Sequence, residues 1–297
     1  IKEDNADTTK KAVVPKGAEV LLESRYPSLD DSQIRYILYS TAVSSGYSVL
    51  DDAEGWGRLN LFEAANGYGA FDTNVTVNMD ASKGGFNVAD NWKNDISGTG
   101  SLTKEGSGML VLSGNNSYTG NTIVDGGSIR AGYASAFGNS SIVNNSVINE
   151  NTDDTLIING NYKQNKSGVL ELTISNENDY VDITGNAELG GKLVLNFKDY
   201  IPSTDAEIIK CASVASQFDE IEINAPEGFE GKIAYNDNGV DLVFSQKTDN
   251  NTAQNEISSP QTGDTSHVVM AFTAFVLSLV GILTASFASK IKSDRIR

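Results

Sequence analysis

Short apolar runs separated by turn-forming residues fill the chain between residues 75 and 244. The clearest runs hold three to six residues each, and Gly, Asn, Asp and Ser separate them. Such runs, with a turn about every eight to twelve positions, are typical of an all-β fold. Because each strand would bury only one side, we expect the strands to stack in coils as a β-solenoid over residues 72–245. The runs behind this prediction are residues 109–112, 122–124, 156–158, 169–174, 192–197 and 241–244.

A different pattern occupies residues 15–71, where apolar residues recur at helical spacing. We expect a helix over residues 17–25 and a second helix after Asp30, which with Gln33 forms a variant of the capping box. A third, short helix is expected at residues 59–65. Three short helices make too small a core to fold alone. We therefore expect them to pack on a missing upstream domain or to cap the first coil of the solenoid.

The third pattern is an uncharged stretch at residues 268–289. As a helix it would span roughly 33 Å, which is enough for the ~30 Å hydrocarbon core of a bilayer, so it predicts one transmembrane helix. The basic tail that follows predicts a cytoplasmic C-terminus and an extracellular body. Residues 246–259 are polar and predict a flexible linker, and residues 1–14 predict a disordered segment. The basic stop-transfer residues are Lys290, Lys292, Arg295 and Arg297.

The charge balance is acidic, with 39 Asp and Glu against 22 Lys and Arg and a formal net charge of −17. Such a surface repels phosphate backbones, so we expect no nucleic-acid partner. Cys211 is the only cysteine and lies in a strand-like context, which predicts a buried thiol. His267 is the only histidine, which removes most chemistry that depends on imidazole. We therefore predict no catalytic residue, no metal site and no cofactor in this chain.

A five-residue motif lies four positions ahead of the apolar stretch and consists of Ser259, Pro260, Gln261, Thr262 and Gly263. This motif, the apolar span and the basic tail resemble the LPxTG-like cell-wall sorting signal of Gram-positive surface proteins, with Ser259 in place of the usual Leu. The resemblance implies that residues 259–297 are a sorting signal which a sortase cleaves between Thr262 and Gly263. It also implies a covalent link from Thr262 to peptidoglycan, and a membrane-held helix before cleavage. The alternative is a plain single-span membrane anchor.

Residues 98–132 resemble the autotransporter-associated β-strand repeat, whose pattern alternates Gly, Leu and Asn positions over one long motif. The resemblance implies a right-handed parallel β-helix, and glycine suits tight corners between its coils. The matching positions are Leu102, Lys104, Gly106, Gly108, Leu110, Leu112, Gly114, Asn116, Tyr118, Gly120, Thr122, Val124 and Gly127.

The helical region resembles the tail of secreted acid phosphatases of the phosphatidic-acid-phosphatase type 2 and vanadium haloperoxidase superfamily. That superfamily needs two catalytic histidines, so the resemblance implies a parent enzyme whose catalytic half is missing here. Residues 33–42 and 55–60 also resemble the close of a subtilisin-like protease domain, and this parent stays open as the alternative. Trp56 and Arg58 suggest an aromatic–cation ligand site, but a packed Trp in a glycine turn is the favoured interpretation. The segments that resemble the phosphatase tail are residues 17–27, 31–42 and 51–71.

The sequence thus predicts a mostly β protein: a right-handed parallel β-helix with a small α-helical N-terminal cap and one C-terminal transmembrane helix. Its predicted function is a non-catalytic stalk of a cell-wall-anchored Gram-positive surface protein, attached by a sortase. The alternatives are a fragment of an exported acid phosphatase, and the tail of a subtilisin-like surface protease or an adhesin module. The chain opens at Ile1 without an apolar signal-peptide region, so we expect a fragment or a processed form.

Overall fold

Three short helices precede a long series of short strands in the computed structural model of this chain, which describes residues 16–43 and 56–246 except residues 153, 201, 203 and 228. The helices are α1 (Lys16–Arg25), α2 (Asp31–Ser40) and α3 (Leu61–Ala64). The strands up to residue 150 are β1 (Ala70–Phe71), β2 (Val75–Met79), β3 (Ala89–Trp92), β4 (Ser97–Gly98), β5 (Leu102–Gly106), β6 (Met109–Leu112), β7 (Thr122–Val124), β8 (Ser128–Ala131), β9 (Ile142–Asn144) and β10 (Val147–Glu150). The later strands are β11 (Leu156–Ile158), β12 (Tyr162–Gln164), β13 (Val169–Ile174), β14 (Val181–Ile183), β15 (Asn186–Glu188), β16 (Lys192–Phe197), β17 (Ala206–Lys210), β18 (Ser213–Val214), β19 (Glu220–Asn224), β20 (Phe229–Asn236) and β21 (Gly239–Gln246).

The strands stack as a parallel β-solenoid with three principal sheets in the described part of the chain. Sheet A has the order β2-β5-β7-β9-β12-β15-β18, and sheet B has the order β3-β6-β8-β10-β13-β16-β19. Sheet C has the order β11-β14-β17-β21-β20, and a small parallel pair joins β1 to β4. Successive strands of one sheet therefore come from successive coils, as the spacing of the apolar runs predicts.

Alternation of buried and outward residues explains why these short runs form strands. In β13 the burial alternates through all six residues, with Leu170, Leu172 and Ile174 in the core. This period of two is that of a pleated strand with one covered face. The core follows the solenoid axis, because residues at equal register in neighbouring coils lie on top of one another.

The final strands depart from the expected parallel pattern. β21 pairs antiparallel with both β17 and β20, so an antiparallel hairpin ends sheet C. Asp237 and Asn238 form the two-residue connection between the paired residues Asn236 and Gly239. A connection this short can join only antiparallel strands, whereas a parallel return needs a long crossover. The short turn between β20 and β21 therefore makes the last strand pairings of sheet C antiparallel.

The helices at the start of the described chain pack on the first coil. Asp30 caps α2 as predicted: Asp30 Oδ1 accepts a hydrogen bond from Gln33 N at 2.9 Å, and Gln33 Oε1 accepts one from Asp30 N at 3.0 Å. Gln33 Nε2 also donates to Thr76 O in β2 at 2.8 Å. The apolar side of α2, with Ile34, Ile37 and Leu38, is buried in the same core cluster as the solenoid strands.

Within residues 16–43 and 56–246, no helix is both long and apolar enough to cross a membrane. The predicted transmembrane helix at residues 268–289 lies outside the described residues, as do the predicted disordered segment at residues 1–14 and the linker beyond residue 246.

Candidate functional site

Two successive coils of the solenoid carry the repeat signature, the first on β5 and β6 and the second on β7. The inward residues Leu102, Leu110 and Leu112 of the first coil are fully buried. Leu102 lies beside Thr122 of the next coil in sheet A, and Thr122 is buried as well. The alternate positions of the signature are therefore core positions of the coil, which is why they recur at every second residue.

The signature glycines lie where one coil approaches the backbone of the coil before it. Gly106 has φ of 72°, and a Cβ there would lie 2.4 Å from Met79 O. A Cβ on Gly114 would lie 1.9 Å from Asn94 O, well inside any allowed contact. These positions therefore exclude a side chain, in agreement with the expectation of tight corners. The same close approach to a preceding backbone occurs at Gly108 and Gly120.

Asn116 ties three successive coils together. Its Oδ1 accepts a hydrogen bond from Ile96 N at 2.8 Å, and its Nδ2 donates to Ala136 O at 2.7 Å. Both partners are 20 residues away, one before and one after, and the side chain is buried. An amide that both donates and accepts satisfies one backbone group in each neighbouring coil.

The remaining polar members of the signature are also satisfied inside the core. Tyr118 Oη and Thr122 Oγ1 lie 2.7 Å apart, and Thr122 Oγ1 lies 2.9 Å from Ser140 Oγ. All three residues have 0% exposure, and burial raises the pKa of the Tyr118 hydroxyl above its ordinary value. Because each of these buried hydroxyl groups has a hydrogen-bond partner, polar residues can occupy core positions of the repeat without a large loss of folding free energy.

Lys104 is a fully buried lysine at the corner between sheets A and B. Its Nζ donates to Glu105 O at 2.6 Å and to Gly126 O at 3.1 Å. Burial lowers the pKa of Lys104 to about 8, while the Glu105 carboxylate opposes that shift. Two coils later, Asn144 at the equivalent register donates to Val169 O at 3.0 Å, while Val124 fills the position between them with an apolar side chain.

Polar ladders on the outside of the solenoid repeat at the same 20-residue spacing. Asn145 Nδ2 donates to Asp125 Oδ1 at 2.6 Å, and Asn165 Nδ2 donates to Asn145 Oδ1. Sequence reasoning found one clear copy of the repeat and missed this period. The recurrence of Asp, Asn and Asn at positions 125, 145 and 165 was the available signal.

An ion pair joins the helical segment to the solenoid. Arg25 at the end of α1 lies 2.6 Å from Asp90 of β3, and both side chains are largely buried. The guanidinium also lies over the rings of Tyr26 and Phe86, with its Cζ 4.5 and 4.2 Å from the ring centroids. Burial raises the pKa of the Asp90 carboxyl, and the Arg25 charge counteracts that shift. Sequence reasoning missed this pair, because 65 positions separate residues that only the fold brings together.

Aromatic side chains continue this junction into the core of the solenoid. Tyr68 packs against Phe71 and Trp92 with ring centroids 5.3 and 5.2 Å apart, and Phe71 packs against Tyr118 at 5.1 Å. The chain of rings therefore runs from the segment after α3 into the repeat coil itself. The helical segment and the first coils share one core in the described residues.

The other residues that the sequence singled out occupy separate places. Trp56 stacks on Tyr39 with centroids 5.3 Å apart, which agrees with a packed Trp. Cys211 is buried as expected, and burial raises the pKa of its thiol. Asp154 Oδ1 accepts a hydrogen bond from Thr155 N, as in a turn. The following lie outside the described residues: Asp51, Asp52, Asp153, His267, Ser259, Pro260, Gln261, Thr262, Gly263, Lys290, Lys292, Arg295 and Arg297.

No group of three or more His, Cys, Asp or Glu side chains that could hold a metal ion occurs among the described residues. The buried carboxylates Glu150 and Asp179 instead accept hydrogen bonds from local groups. Glu150 Oε1 accepts from Thr152 N at 2.7 Å, and Asp179 Oδ2 accepts from Ser175 N and Ser175 Oγ. These carboxylates therefore hold loops of the solenoid in place.

Comparison with known protein families finds a match in the repeat region. Residues 102–131 match the family described as Passenger-associated-transport-repeat. The match runs from β5 to β8, so it includes the three strands that carry the repeat signature, and it agrees with the repeat resemblance.

Curated proteins from several bacteria are similar to a larger part of the chain. The Neisserial autotransporter lipoprotein NalP of Neisseria meningitidis is 35% identical over 194 residues, which covers 63% of this chain and 17% of that protein. An extracellular serine protease of Serratia marcescens is 31% identical over 155 residues, covering 42% of this chain and 15% of that protein. Serotype-specific antigen 1 of Mannheimia haemolytica is 35% identical over 98 residues, or 32% of this chain and 10% of that protein. This chain therefore spans about a sixth of the length of the first two relatives.

These matches overturn the Gram-positive interpretation of the C-terminal region. The relatives come from Gram-negative bacteria, and the matched repeat is a passenger-associated one, as in an autotransporter. Nothing in these matches corresponds to sortase-mediated display on a Gram-positive wall. The predicted sortase partner, the covalent link from Thr262 to peptidoglycan and the cell-wall anchoring are therefore wrong.

The acid-phosphatase parent is wrong as well. The proteins reported above, which share 31–35% identity with this chain, carry the names of an autotransporter lipoprotein, an extracellular serine protease and a serotype-specific antigen. The phosphatase resemblance rested on residues 17–27, 31–42 and 51–71, and parts of the last two segments, residues 33–42 and 55–60, equally resemble the close of a subtilisin-like domain.

Proposed function

We propose that this chain is part of an exported surface protein of the autotransporter passenger type, in which the β-solenoid forms a non-catalytic stalk. The observation that carries the proposal is the repeat coil at residues 102–131, built into a stack of parallel coils with a continuous core. A stack of this kind is extended and quasi-one-dimensional, because each coil contacts only its neighbours. Such a stalk holds a preceding domain away from the membrane.

The domain that the stalk displays is a serine protease in this proposal. The support is the similarity to the Serratia extracellular serine protease together with the subtilisin-like pattern at residues 33–42 and 55–60. Helix α2, which carries the first part of this pattern, shares its core with the first coils, and the preceding helix α1 is joined to them by the Arg25–Asp90 ion pair. A catalytic domain ending in α1 to α3 would thus be coupled rigidly to the stalk.

Antibody labelling of intact cells tests the stalk. An antibody against residues 98–132 is expected to label intact cells of the native host, and protease added from outside is expected to remove the label. The matched control is an antibody against a periplasmic protein, which should bind only after the cells are opened. Labelling of the solenoid only in opened cells would contradict surface display.

A fluorophosphonate probe tests the displayed domain separately. The probe modifies activated serine nucleophiles, so the polypeptide that reacts with the solenoid antibody should carry the probe. Heat-denatured cells serve as the control, because the probe needs a folded active site. A surface-exposed polypeptide that never takes up the probe would retain the stalk and exclude the serine protease.

A further inference from the structure

Strand β19 lies at the end of sheet B and pairs with β16 on one side only. Glu220 N donates to Gly191 O at 3.0 Å, so Glu220 directs its backbone groups towards β16. Because alternate residues of a strand direct their backbone groups to opposite edges, Ile221 and Ile223 point their N–H and C=O groups away from β16. No described residue pairs with these groups, so β19 presents an open edge.

The other terminal strands of sheets A and B use edge groups on neighbouring segments. In β2, Thr76 O accepts a hydrogen bond from a side chain of α2, and in β3, Asn91 O accepts one from a side chain of α1. In β18, Val214 N donates to Asp237 O of the turn between β20 and β21 at 3.1 Å. Of the four strands at the ends of these two sheets, only β19 lacks such a closure among the described residues.

The residues of β19 do not discourage the addition of a further strand. Natural edge strands are usually blunted by Lys, Pro or a bulge. The sequence of β19 is Glu-Ile-Glu-Ile-Asn, and its five residues pair with β16 without a shift of register. In contrast, β20 at the end of sheet C carries Lys232.

The core beneath this edge is incomplete. Ile221 ends a column of inward residues whose other members are each at most 1% exposed, whereas Ile221 is 39% exposed. The hairpin of β20 and β21 covers the neighbouring Ile223, since a Cβ on Gly231 would lie 3.3 Å from Ile223 Cγ2. An apolar residue placed beside Ile221 would complete the column. The column consists of Leu110, Ile129, Ile148, Leu170, Leu193 and Ile221.

The outward side chains of β19 select the charge of a partner. The side chains of Glu220 and Glu222 are 65% and 46% exposed, and Lys192 Nζ lies 2.7 Å from a carboxylate oxygen of each. One ammonium group between two carboxylates leaves this face negative. A second copy paired through β19 would place glutamates opposite glutamates, which is destabilising, whereas basic residues opposite them are stabilising.

An added strand with basic and apolar residues in alternation meets all three conditions. Its backbone pairs with the open groups of Ile221 and Ile223, and its apolar side covers Ile221. Its basic side chains lie opposite Glu220 and Glu222. We propose that the open edge of β19 binds an extended segment of a partner protein in which lysine or arginine alternates with apolar residues.

Fluorescence anisotropy of two labelled peptides with the full chain tests this edge. The first peptide, Ser-Lys-Val-Lys-Val-Lys-Ser, alternates basic and apolar residues. The second, Ser-Lys-Lys-Lys-Val-Val-Ser, has the same composition and charge without the alternation. The alternating peptide is expected to bind at least about tenfold more tightly at about 0.15 M salt. The proposal is wrong if neither peptide binds, or if both bind equally.

Two variants locate the peptide on β19. Ile221→Pro removes an edge N–H that has no partner in the described chain, so it should abolish binding while the pairing with β16 remains. Replacing both Glu220→Gln and Glu222→Gln removes the cross-strand charge pairs and should weaken binding about fivefold. The matched control is Glu188→Gln, which removes an exposed carboxylate of β15 in sheet A and should bind as the unaltered chain does. Unchanged affinity in Ile221→Pro or in the double glutamine variant overturns the proposal.

Thermal unfolding without peptide shows whether each variant is folded, and the midpoints should stay within about 4 °C of the unaltered chain. If Ile221→Pro unfolds, the double glutamine variant decides by itself, because its substitutions lie at exposed side chains. Sedimentation of the full chain without peptide tests a second copy as the occupant, and a monomer is expected. A dimer that the β19 substitutions dissociate would assign the edge to self-association and overturn the proposal.

Discussion

Single polar residues inside this solenoid are tolerated because the fold supplies each with partners. Lys104 is the extreme case, since an ammonium group with no exposure is held by two backbone carbonyls of the corner. Asn116 and Thr122 follow the same rule with an amide and a hydroxyl. Removing one of these side chains would leave buried backbone groups unpaired, at a cost of about 1–3 kcal/mol.

The buried Lys104 predicts a specific pH dependence of stability. Its folded pKa of about 8 lies below its ordinary value of 10.5, so between these values the unfolded chain holds a proton that the folded chain has lost. Stability contributed by this residue should therefore rise from pH 8 towards pH 10, the reverse of a salt-bridged lysine. The measurement is urea unfolding of the unaltered chain and of Lys104→Met at pH 7 and pH 10.

All other titratable groups are the same in the unaltered chain and in Lys104→Met. Their contribution to the pH dependence therefore cancels when the two free energies of unfolding are subtracted. The unaltered chain should gain stability relative to Lys104→Met over this interval. A difference in the free energy of unfolding that is the same at pH 7 and pH 10 would show that Lys104 is not desolvated in the folded chain.

The stability of each coil depends on how closely its backbone approaches the backbone of the neighbouring coils. The signature glycines lie where adjacent coils come closest, and a side chain there would have to displace a main-chain carbonyl of the preceding coil. An inner strand such as β5 cannot move away from one neighbour alone, because it pairs with β2 on one side and with β7 on the other. The glycines are therefore requirements of the coil and not marks of flexibility.

Gly114→Ala is expected to destabilise the solenoid by about 3 kcal/mol or more, the range of strongly overpacked substitutions. The reason is the 1.9 Å distance from the new Cβ to Asn94 O. The matched control is Gly17→Ala in α1, where no atom lies within 4 Å of the new Cβ. This control should raise stability slightly, by roughly 0.5–1 kcal/mol, through helix propensity. Equal unfolding midpoints for the two variants would contradict the close approach.

At the scale of the whole described molecule, the helical segment and the solenoid form one cooperative body. Their cores are continuous through Tyr68, Phe71 and Trp92, and the Arg25–Asp90 pair closes the junction from the side of α1. A buried pair adds little net stability while intact, but breaking one partner leaves an uncompensated charge. The junction thus makes unfolding of the helices and of the first coil depend on one another.

Arg25→Ala should therefore cost about 3–5 kcal/mol and uncouple the helices from the solenoid. Hydrogen exchange measures this, since amides of α1 and α2 should then exchange faster than those of β5 to β8. The control is Arg35→Ala, which removes the exposed pair with Glu19 between α1 and α2 and should have little effect. Unchanged protection of α1 and α2 in Arg25→Ala would show that the junction does not couple the two parts.

Much of the secondary structure could be predicted from the sequence, because it depends on neighbouring residues. Five predicted strand runs have the same bounds as β6, β7, β11, β13 and β16. The capping box of α2 was predicted because its two partners are only three positions apart. The repeat signature located the core positions of one coil, since a strand that buries one face alternates at every second residue.

The tertiary structure alone decided which of these elements meet. No local pattern reports a contact across 65 positions, so the pair of Arg25 with Asp90 needed the coiled backbone. The 20-residue recurrence of Asp125 and Asn145 is visible in the sequence, but only the stacked coils show that the two side chains bond to each other. The open edge of β19 became visible for the same reason, because strand partners are a property of the stacked coils. By itself, the sequence determined the alternation, the glycine corners and the helix cap of this protein, which are all local. The coil spacing, the rigid junction and the open edge of β19 arise from long-range packing, whose energy depends on every neighbour at once.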